Sequence, residues 1–445
     1  MARDAGAVRG DPLTFLTDVS RRYGDLVSFP VPGLPTLLVG DAEGARHVLQ
    51  TAGRGWTKQT VQYAALRQVT GPGLLASAEP SWLTHRRAAA PAFHHQGLAA
   101  VSEQVTAAVD EAVRAELPAP GEPDRVVDVA ALMSRIALDA VGRALFSADL
   151  TGHATELLQA TSRSADLVVR LGRSMLPAIV WAPTPARVRL RSTRRRLERI
   201  TAEVIAERRS LGAAAPGGAA PGGAAGSYGD DLLGLLLASG MPDQQIHDEL
   251  VTMVVAGHET VAGSLSWTLM LLAEHEEHQD RTYAELADLP TPVRLHDPRS
   301  RAPWTRAVLD EALRLYPPGW VLSRRAQHDD VVAGVPVPAG TLAIVSPWLI
   351  HRRADLWPDP EAFRPERFLQ EGAGRRGYLP FGLGARLCIG RDFALGEMAV
   401  VLARLLRTHR VGLTPGWCRP EPLPRLTVQP RGGMPLIVGA RRDAP

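Results

Sequence analysis

Lysine is almost missing from this chain: Lys58 is the only one in 445 residues, so arginine supplies nearly all of the 50 basic side chains. The net charge is only +3, yet the pI reaches 9.1 because the bases are guanidinium groups. The bias reads as the codon usage of a GC-rich bacterial genome. Cysteine is nearly absent too. Cys388 and Cys418 are the only two, which excludes a disulfide framework, suits a reducing cytoplasm and leaves a thiol free for chemistry. No long hydrophobic run exists. The strongest, TVAGSLSWTLMLLA at 260–273, falls short of the ~20 residues of a membrane span and reads as a buried core helix. Arg3, Asp4, Arg9 and Asp11 interrupt the N-terminus where a signal peptide needs an apolar core. Aromatics are scarce at 5%, but 45% hydrophobic and 22% charged residues describe an ordinary globular protein.

The pattern along the chain predicts a mostly helical body with a smaller β portion. LVSFPVPGLPTLLVG reads as short strands joined by Pro and Gly turns, and helical periodicity then runs to about residue 320. In the arginine-rich segment 186–212, Leu190, Leu197, Val204 and Leu211 recur seven apart with Ile200 between them. That is one apolar helix stripe. Glu198, Glu203 and Glu207 interleave the arginines, so the run reads as a solvated face and not as a nucleic-acid site. A Gly, Ala and Pro tract at 212–229 follows, expected as a flexible surface loop and not a domain boundary. From Gly334 short β-prone runs alternate with turns, until RDFALGEMAVVLARLLRTH gives a last long helix.

The chemistry concentrates in FGLGARLCIG, residues 381–390. Cys388 precedes a helix starting near Ile389 and Gly390, whose free N–H groups and partial positive charge favour a thiolate, a good iron ligand. Gly382, Gly384 and Gly390 leave room for a flat ligand and permit positive φ. Phe381 can shield the sulfur, and Arg386 can pair with a carboxylate on the ligand's edge. The residues alone also allow Cys388 to be a buried small hydrophobe in a Gly-rich turn.

The stretch resembles, at every fixed position, the haem-binding signature F-G-x-G-x-R-x-C-x-G of the cytochrome P-450 family. Other landmarks follow in the family's order. The resemblance implies a single catalytic domain over 1–445, mainly α, a triangular prism-like helical body around buried haem b, with Cys388 as the metal ligand. Trp82 and Arg86 of SWLTHRR would donate to one propionate. Arg324 of VLSRRAQ would reach the other, with Arg325 as the alternative, and Arg386 would join them. Glu311 and Arg314 of EALR would form with Arg367 of FRPERF a buried structural cluster holding the cysteine region.

AGHET at 256–260 resembles the family's central-helix motif, on a helix expected from near Asp243 to beyond Ala273. Ala256 and Gly257 would make room for dioxygen and substrate beside the iron. Glu259 would relay protons and Thr260 would help hold dioxygen, since cleaving the O–O bond needs protons delivered where stray water is excluded. His258 occupies the variable position and receives no role. HEEH at 275–278 lacks zinc-protease spacing and reads as exposed.

The pocket would be walled by the loop before Trp82, residues 59–77, by the central helix, and by Pro318, Gly319, Trp320 and Val321. Its apolar lining implies a hydrophobic small molecule, such as a terpenoid or polyketide, oxidised by one oxygen atom in natural-product biosynthesis. No reductase domain fits in the length, so electrons would come from NAD(P)H through a ferredoxin reductase and a ferredoxin, docking on Arg375, Arg376 and Arg391. A peroxide-using, desaturating or radical-coupling enzyme is the alternative within the class, and a non-catalytic haem sensor the alternative outside it.

Overall fold

The computed structural model describes residues 10–29, 34–148, 150–172, 184–214, 228–289, 301–370 and 376–441. Twelve helices of seven residues or more lie among them: α1 Pro12–Tyr23, α2 Val61–Thr70, α3 Ser81–Ala89, α4 His95–Glu116, α5 Val129–Phe146, α6 Ala154–Gly172, α7 Pro185–Ala214, α8 Leu232–Ala238, α9 Asp243–Glu274, α10 Glu276–Ala287, α11 Pro303–Leu315 and α12 Arg391–Thr408. The strands are β1 Leu26–Phe29, β2 Thr36–Val39, β3 Trp56–Thr57, β4 Arg125–Asp128, β5 Leu322–Ala326, β6 Asp330–Val332, β7 Val335–Val337, β8 Leu342–Val345, β9 His409–Gly412, β10 Pro422–Pro424, β11 Val428–Pro430 and β12 Pro435–Ala440. A five-stranded sheet runs β1-β2-β8-β5-β3, with only β2 and β8 parallel. A second sheet runs β4-β12-β9, and β10 and β11 form a separate hairpin.

Local chemistry sets the helix starts. Asp11 and Asp128 accept backbone N–H groups as caps of α1 and α5, and Pro12 occupies the first turn of α1, where its missing N–H costs nothing. Helix α9 spans 32 residues, about 48 Å at 1.5 Å per residue. Between Val261 and Ala273 every side chain of α9 is buried, so it is a core helix wrapped on all sides. Gly257 lets α5 approach: a Cβ there would sit 2.9 Å from Val141 Cγ2. The small residue therefore serves helix packing, where the motif alone suggests space for a ligand.

Several boundaries differ from expectation. The stretch 59–77, which reads as a loop, contains α2, capped by Thr60. Of the stripe on α7, Leu190, Leu197, Ile200 and Val204 are buried, but Leu211 is 63% exposed because the helix end overhangs the core. Residues 212–214, expected in the low-complexity loop, continue α7, and 215–227 lie outside the described residues. Arginines of α7 are tied to acids: Arg194 to Glu198 and Asp248, Arg199 to Glu156 and Glu203, Arg208 to Asp231. His275 and His278, expected to be exposed, are half-buried and pack on Phe363 with ring centroids 5.2 and 5.6 Å away. No helix among the described residues is long and apolar enough to cross a membrane.

One buried acid stands apart from the site chemistry. Glu397 of α12 is 0% exposed, neither carboxyl oxygen has a hydrogen-bond partner among the described residues, and burial pushes its pKa well above the ordinary 4.5. Burial favours its neutral form in the fold. Unfolding lets it ionise above 4.5, so stability falls as pH rises past that value, by about 1.4 kcal/mol per pH unit until the folded group also titrates. Glu397→Gln is expected to raise the melting temperature at about pH 8 and to change it little at about pH 5. Equal effects at both would refute a neutral Glu397.

Candidate active site

The cysteine loop is held by its own backbone. Cys388 N–H donates to Phe381 O at 3.0 Å, Gly382 N–H to Leu379 O at 3.1 Å and Leu387 N–H to Gly384 O at 3.0 Å. Gly382 and Gly384 adopt φ of 72° and 70°, where a side chain is strained. A Cβ on Gly384 would also meet Leu49 O at 2.2 Å. Gly390 has φ −88°, so it does not supply the positive φ expected of it. It is the N-cap of α12, and its backbone N–H favours the charged form of the Cys388 sulfur.

Cys388 keeps accessible surface while protein atoms crowd around it. That burial raises its thiol pKa, against the Gly390 N–H and the charges of Arg86, Lys58 and Arg391. The helix terminus alone therefore does not make a free thiolate, contrary to expectation from the sequence. A coordinating metal deprotonates a thiol outright.

Beside the loop, cations converge. Arg86 of α3 donates to Leu387 O at 2.8 Å. Arg386 stacks over Trp82 with its guanidinium carbon 3.9 Å from the ring centroid, and donates to Ser77 O at 3.0 Å. In β5, Arg324 is 5% exposed and directed inward, whereas Arg325 faces solvent. Lys58, which no motif in the sequence singles out, completes the group. It lies 4.6 Å over the Tyr63 ring and donates to Leu75 O at 3.0 Å.

Burial, with Arg324 and Arg386 close by, brings Lys58 down to about 8 despite the opposing pull of Tyr63. Burial likewise lowers Arg386 to about 10, helped by Arg324. Burial would raise Tyr63, but Lys58 and Arg324 hold it below a phenol's usual 10.0. None of these four cations is ion-paired with a carboxylate among the described residues. Buried like charges are tolerated only where an anion meets them. A thiol beside cations with no carboxylate partner among the described residues fits iron protoporphyrin IX, which carries an iron that accepts sulfur and two carboxylates that accept cations.

The support for this site lies behind it. Arg314 is 0% exposed and grips Glu311 with two bonds of 2.7 and 2.8 Å. Arg367 Nε and Arg364 N–H reach the same carboxylate at 3.0 and 2.9 Å. Arg314 O accepts from His351 Nδ1 at 3.1 Å, and His351 Nε2 accepts Leu379 N–H at 2.8 Å. The backbone N–H can only donate, which fixes the neutral tautomer. Burial keeps it neutral, with a pKa of about 3. His351 thus wires the ion cluster to the start of the cysteine loop, and no local pattern in the sequence flags it.

On α9, Ala256, Gly257, Glu259 and Thr260 are only half-buried although the residues on either side are buried. This is the one stretch of α9 between Leu250 and Ala273 that keeps partial accessible surface. Thr260 Oγ1 donates to Ala256 O at 2.8 Å, the back-bonded geometry of a helical threonine. Burial raises Glu259 to about 7, with Arg425 pulling down and Asp166 pushing up. His258 turns away, bonded to Val254 O at 2.8 Å and buried to a pKa of about 4. Pro318, Gly319 and Val321 are half-buried. Trp320 is 8% exposed, its Nε1–H bound to Arg425 O at 3.0 Å. Of the basic patch, Arg376 is exposed, Arg391 is ion-paired with Asp392 at 2.8 Å, and Arg375 lies outside the described residues.

Comparison with known proteins agrees along the whole chain. The cytochrome P450 family profile matches residues 5–437. Cyclooctat-9-en-7-ol 5-monooxygenase of Streptomyces melanosporofaciens is 33% identical, the match covering 91% of this chain and 86% of that one. Pentalenene oxygenase of Streptomyces avermitilis is 32% identical over 91% and 88%. The crystal structure of CYP175A1 from Thermus thermophillus superposes with a TM-score of 0.75 at 31% identity, covering 98% and 96%.

Proposed function

Since this chain belongs to the cytochrome P450 family, we propose that its monooxygenase chemistry serves terpenoid biosynthesis, placing one oxygen atom on a largely apolar polycyclic substrate. The observation that carries this is the half-buried stretch of α9 bearing Glu259 and Thr260, in a chain similar to oxygenases named for pentalenene and cyclooctat-9-en-7-ol. Haem b, when bound, supplies the iron at which dioxygen is reduced; one oxygen atom enters the substrate and the other leaves as water, consuming two electrons and two protons.

The chain's residues do the rest. Cys388 would hold the iron, and Arg86, Arg324, Arg386, Trp82 and Lys58 would orient the group by its carboxylates. With burial raising its pKa to about 7, Glu259 can both take up and release a proton near neutral pH, which suits a relay that must load and release. The Thr260 hydroxyl lies one residue further along α9. Pro318, Gly319 and Val321 form the apolar wall. Lid motion of the helices flanking 215–227 would admit the substrate.

The test is product formation from terpenoid hydrocarbons by the haem-loaded protein with a ferredoxin, its reductase and NADPH under labelled dioxygen. A product carrying one labelled atom is expected. Failure of every terpenoid tried, with a fatty acid or aromatic compound oxidised instead, would overturn the substrate class. We also assign electron entry to the exposed side chains of Arg376 and Arg391. Charge reversal at Arg376 is expected to slow reduction several-fold at low salt and not at high salt. Because Asp392 already offsets Arg391, reversal there is expected to act more weakly.

A further inference from the structure

Segment 71–77, between α2 and α3, lies directly on the first turns of α9. A Cβ on Gly71 would overlap the Asp248 carboxylate, and one on Gly73 would overlap Thr252 Oγ1 and lie 2.7 Å from Asp248 O. Both glycines are therefore needed for the approach. Just beyond them, Leu74 N–H donates to Glu249 Oε2 at 3.1 Å. The other oxygen of that carboxylate, Oε1, lies 2.7 Å from Nδ1 of His85 on α3. Glu249 is 0% exposed and His85 3%, and the Gln245 side-chain amide meets His85 Nε2. One buried carboxylate on α9 thus grips both the segment and α3, and burial this deep is tolerated only with such partners.

Both ends of the grip lead to the cations beside the cysteine loop. His85 immediately precedes Arg86 on α3 and follows Trp82 by three residues, about one turn. On the segment, Leu75 O accepts from Lys58 and Ser77 O accepts from Arg386, each at 3.0 Å. The N–H groups of Ala76 and Ser77 turn back to Gly73 O at 3.0 and 2.9 Å, which makes 73–77 one tight turn.

We propose that Glu249 and His85 are positioning residues for haem, fixing where Lys58, Arg86 and Arg386 present their charges to its carboxylates. A hydrogen bond of about 2.9 Å is lost when one partner moves by about 1 Å, so the cations hold the group well only if the turn and α3 stay in register. Glu249 supplies that register because it touches both. The proposal rests on haem binding beside Cys388 and not on the terpenoid reading.

The experiment compares haem-loaded native protein with the double variant Glu249→Leu, His85→Leu, which replaces the pair as a whole and so spares the fold the cost of a stranded charge. Haem is expected to pass to a scavenger protein about 3- to 10-fold faster, from weakened charge-assisted bonds. The propionate bending bands of the resonance Raman spectrum are expected to shift, with the red-shifted carbon monoxide band intact. Glu249→Gln keeps the shape and the Leu74 acceptor, guards against misfolding of the double variant, and is expected to change both readouts in the same direction by less. Native transfer rate and unmoved propionate bands in a folded variant would make the pair plain support of the fold and overturn the proposal, whatever the melting temperature does. Neither readout needs turnover, so failure to oxidise any terpenoid would count against the proposed function alone.

Discussion

Cys388→Ala is expected to abolish the red-shifted Soret band of the reduced, carbon monoxide-bound protein and to reduce oxygenation to background. The reason is specific to the sulfur. A thiolate pushes electron density onto iron and favours O–O cleavage, and no alanine or water can do so. The cation cluster remains in this variant, so some haem should still bind, with its carbonyl spectrum moved to shorter wavelength. Arg324→Leu and Arg386→Leu separate the two functions. Each removes a charge-assisted partner worth ~1.5–3 kcal/mol, so haem is expected to pass to a scavenger protein about 10- to 100-fold more readily with the red-shifted band intact. An unchanged band in Cys388→Ala would place the iron ligand elsewhere.

Glu311→Ala is expected to cost about 3–5 kcal/mol and to yield little haem-loaded protein, because it leaves the Arg314 guanidinium, 0% exposed, without its carboxylate. Breaking one partner of a buried pair strands the other charge, whereas replacing the pair as a whole can be nearly neutral. Arg314 also donates to His351 O at 2.8 Å and to Pro360 O at 2.6 Å, so its displacement would disturb the segment that positions His351 and, through it, Leu379. Glu311→Gln, which keeps the shape and one acceptor, should lose less. Thermal unfolding and haem retention measure both effects. Full stability in Glu311→Ala would remove this cluster as the support of the cysteine loop.

The mainly helical architecture and the long core helix are legible in the sequence because periodicity over many residues overrides local exceptions. Boundaries are less so: Leu211 continues a stripe whose core ends before it, and residues 59–77 contain a helix that Gly71 and Gly73 disguise as a loop. Choosing Arg324 over Arg325 rests on resemblance, and strand β5 orients them oppositely. Lys58 stands out in the sequence only as a compositional oddity, and nothing near it along the chain marks it as the neighbour of Arg324 and Arg386.

By itself the sequence determined which candidate groups sit together within one turn or one loop: Cys388 among its glycines and the Glu259–Thr260 pair. Their spacing along the chain is their spacing in space. Tertiary structure decided everything that depends on long-range approach and burial: the four-cation cluster and the His351 link. Those groups lie far apart in sequence, and a side chain's charge state follows from the atoms packed around it, which no local pattern encodes.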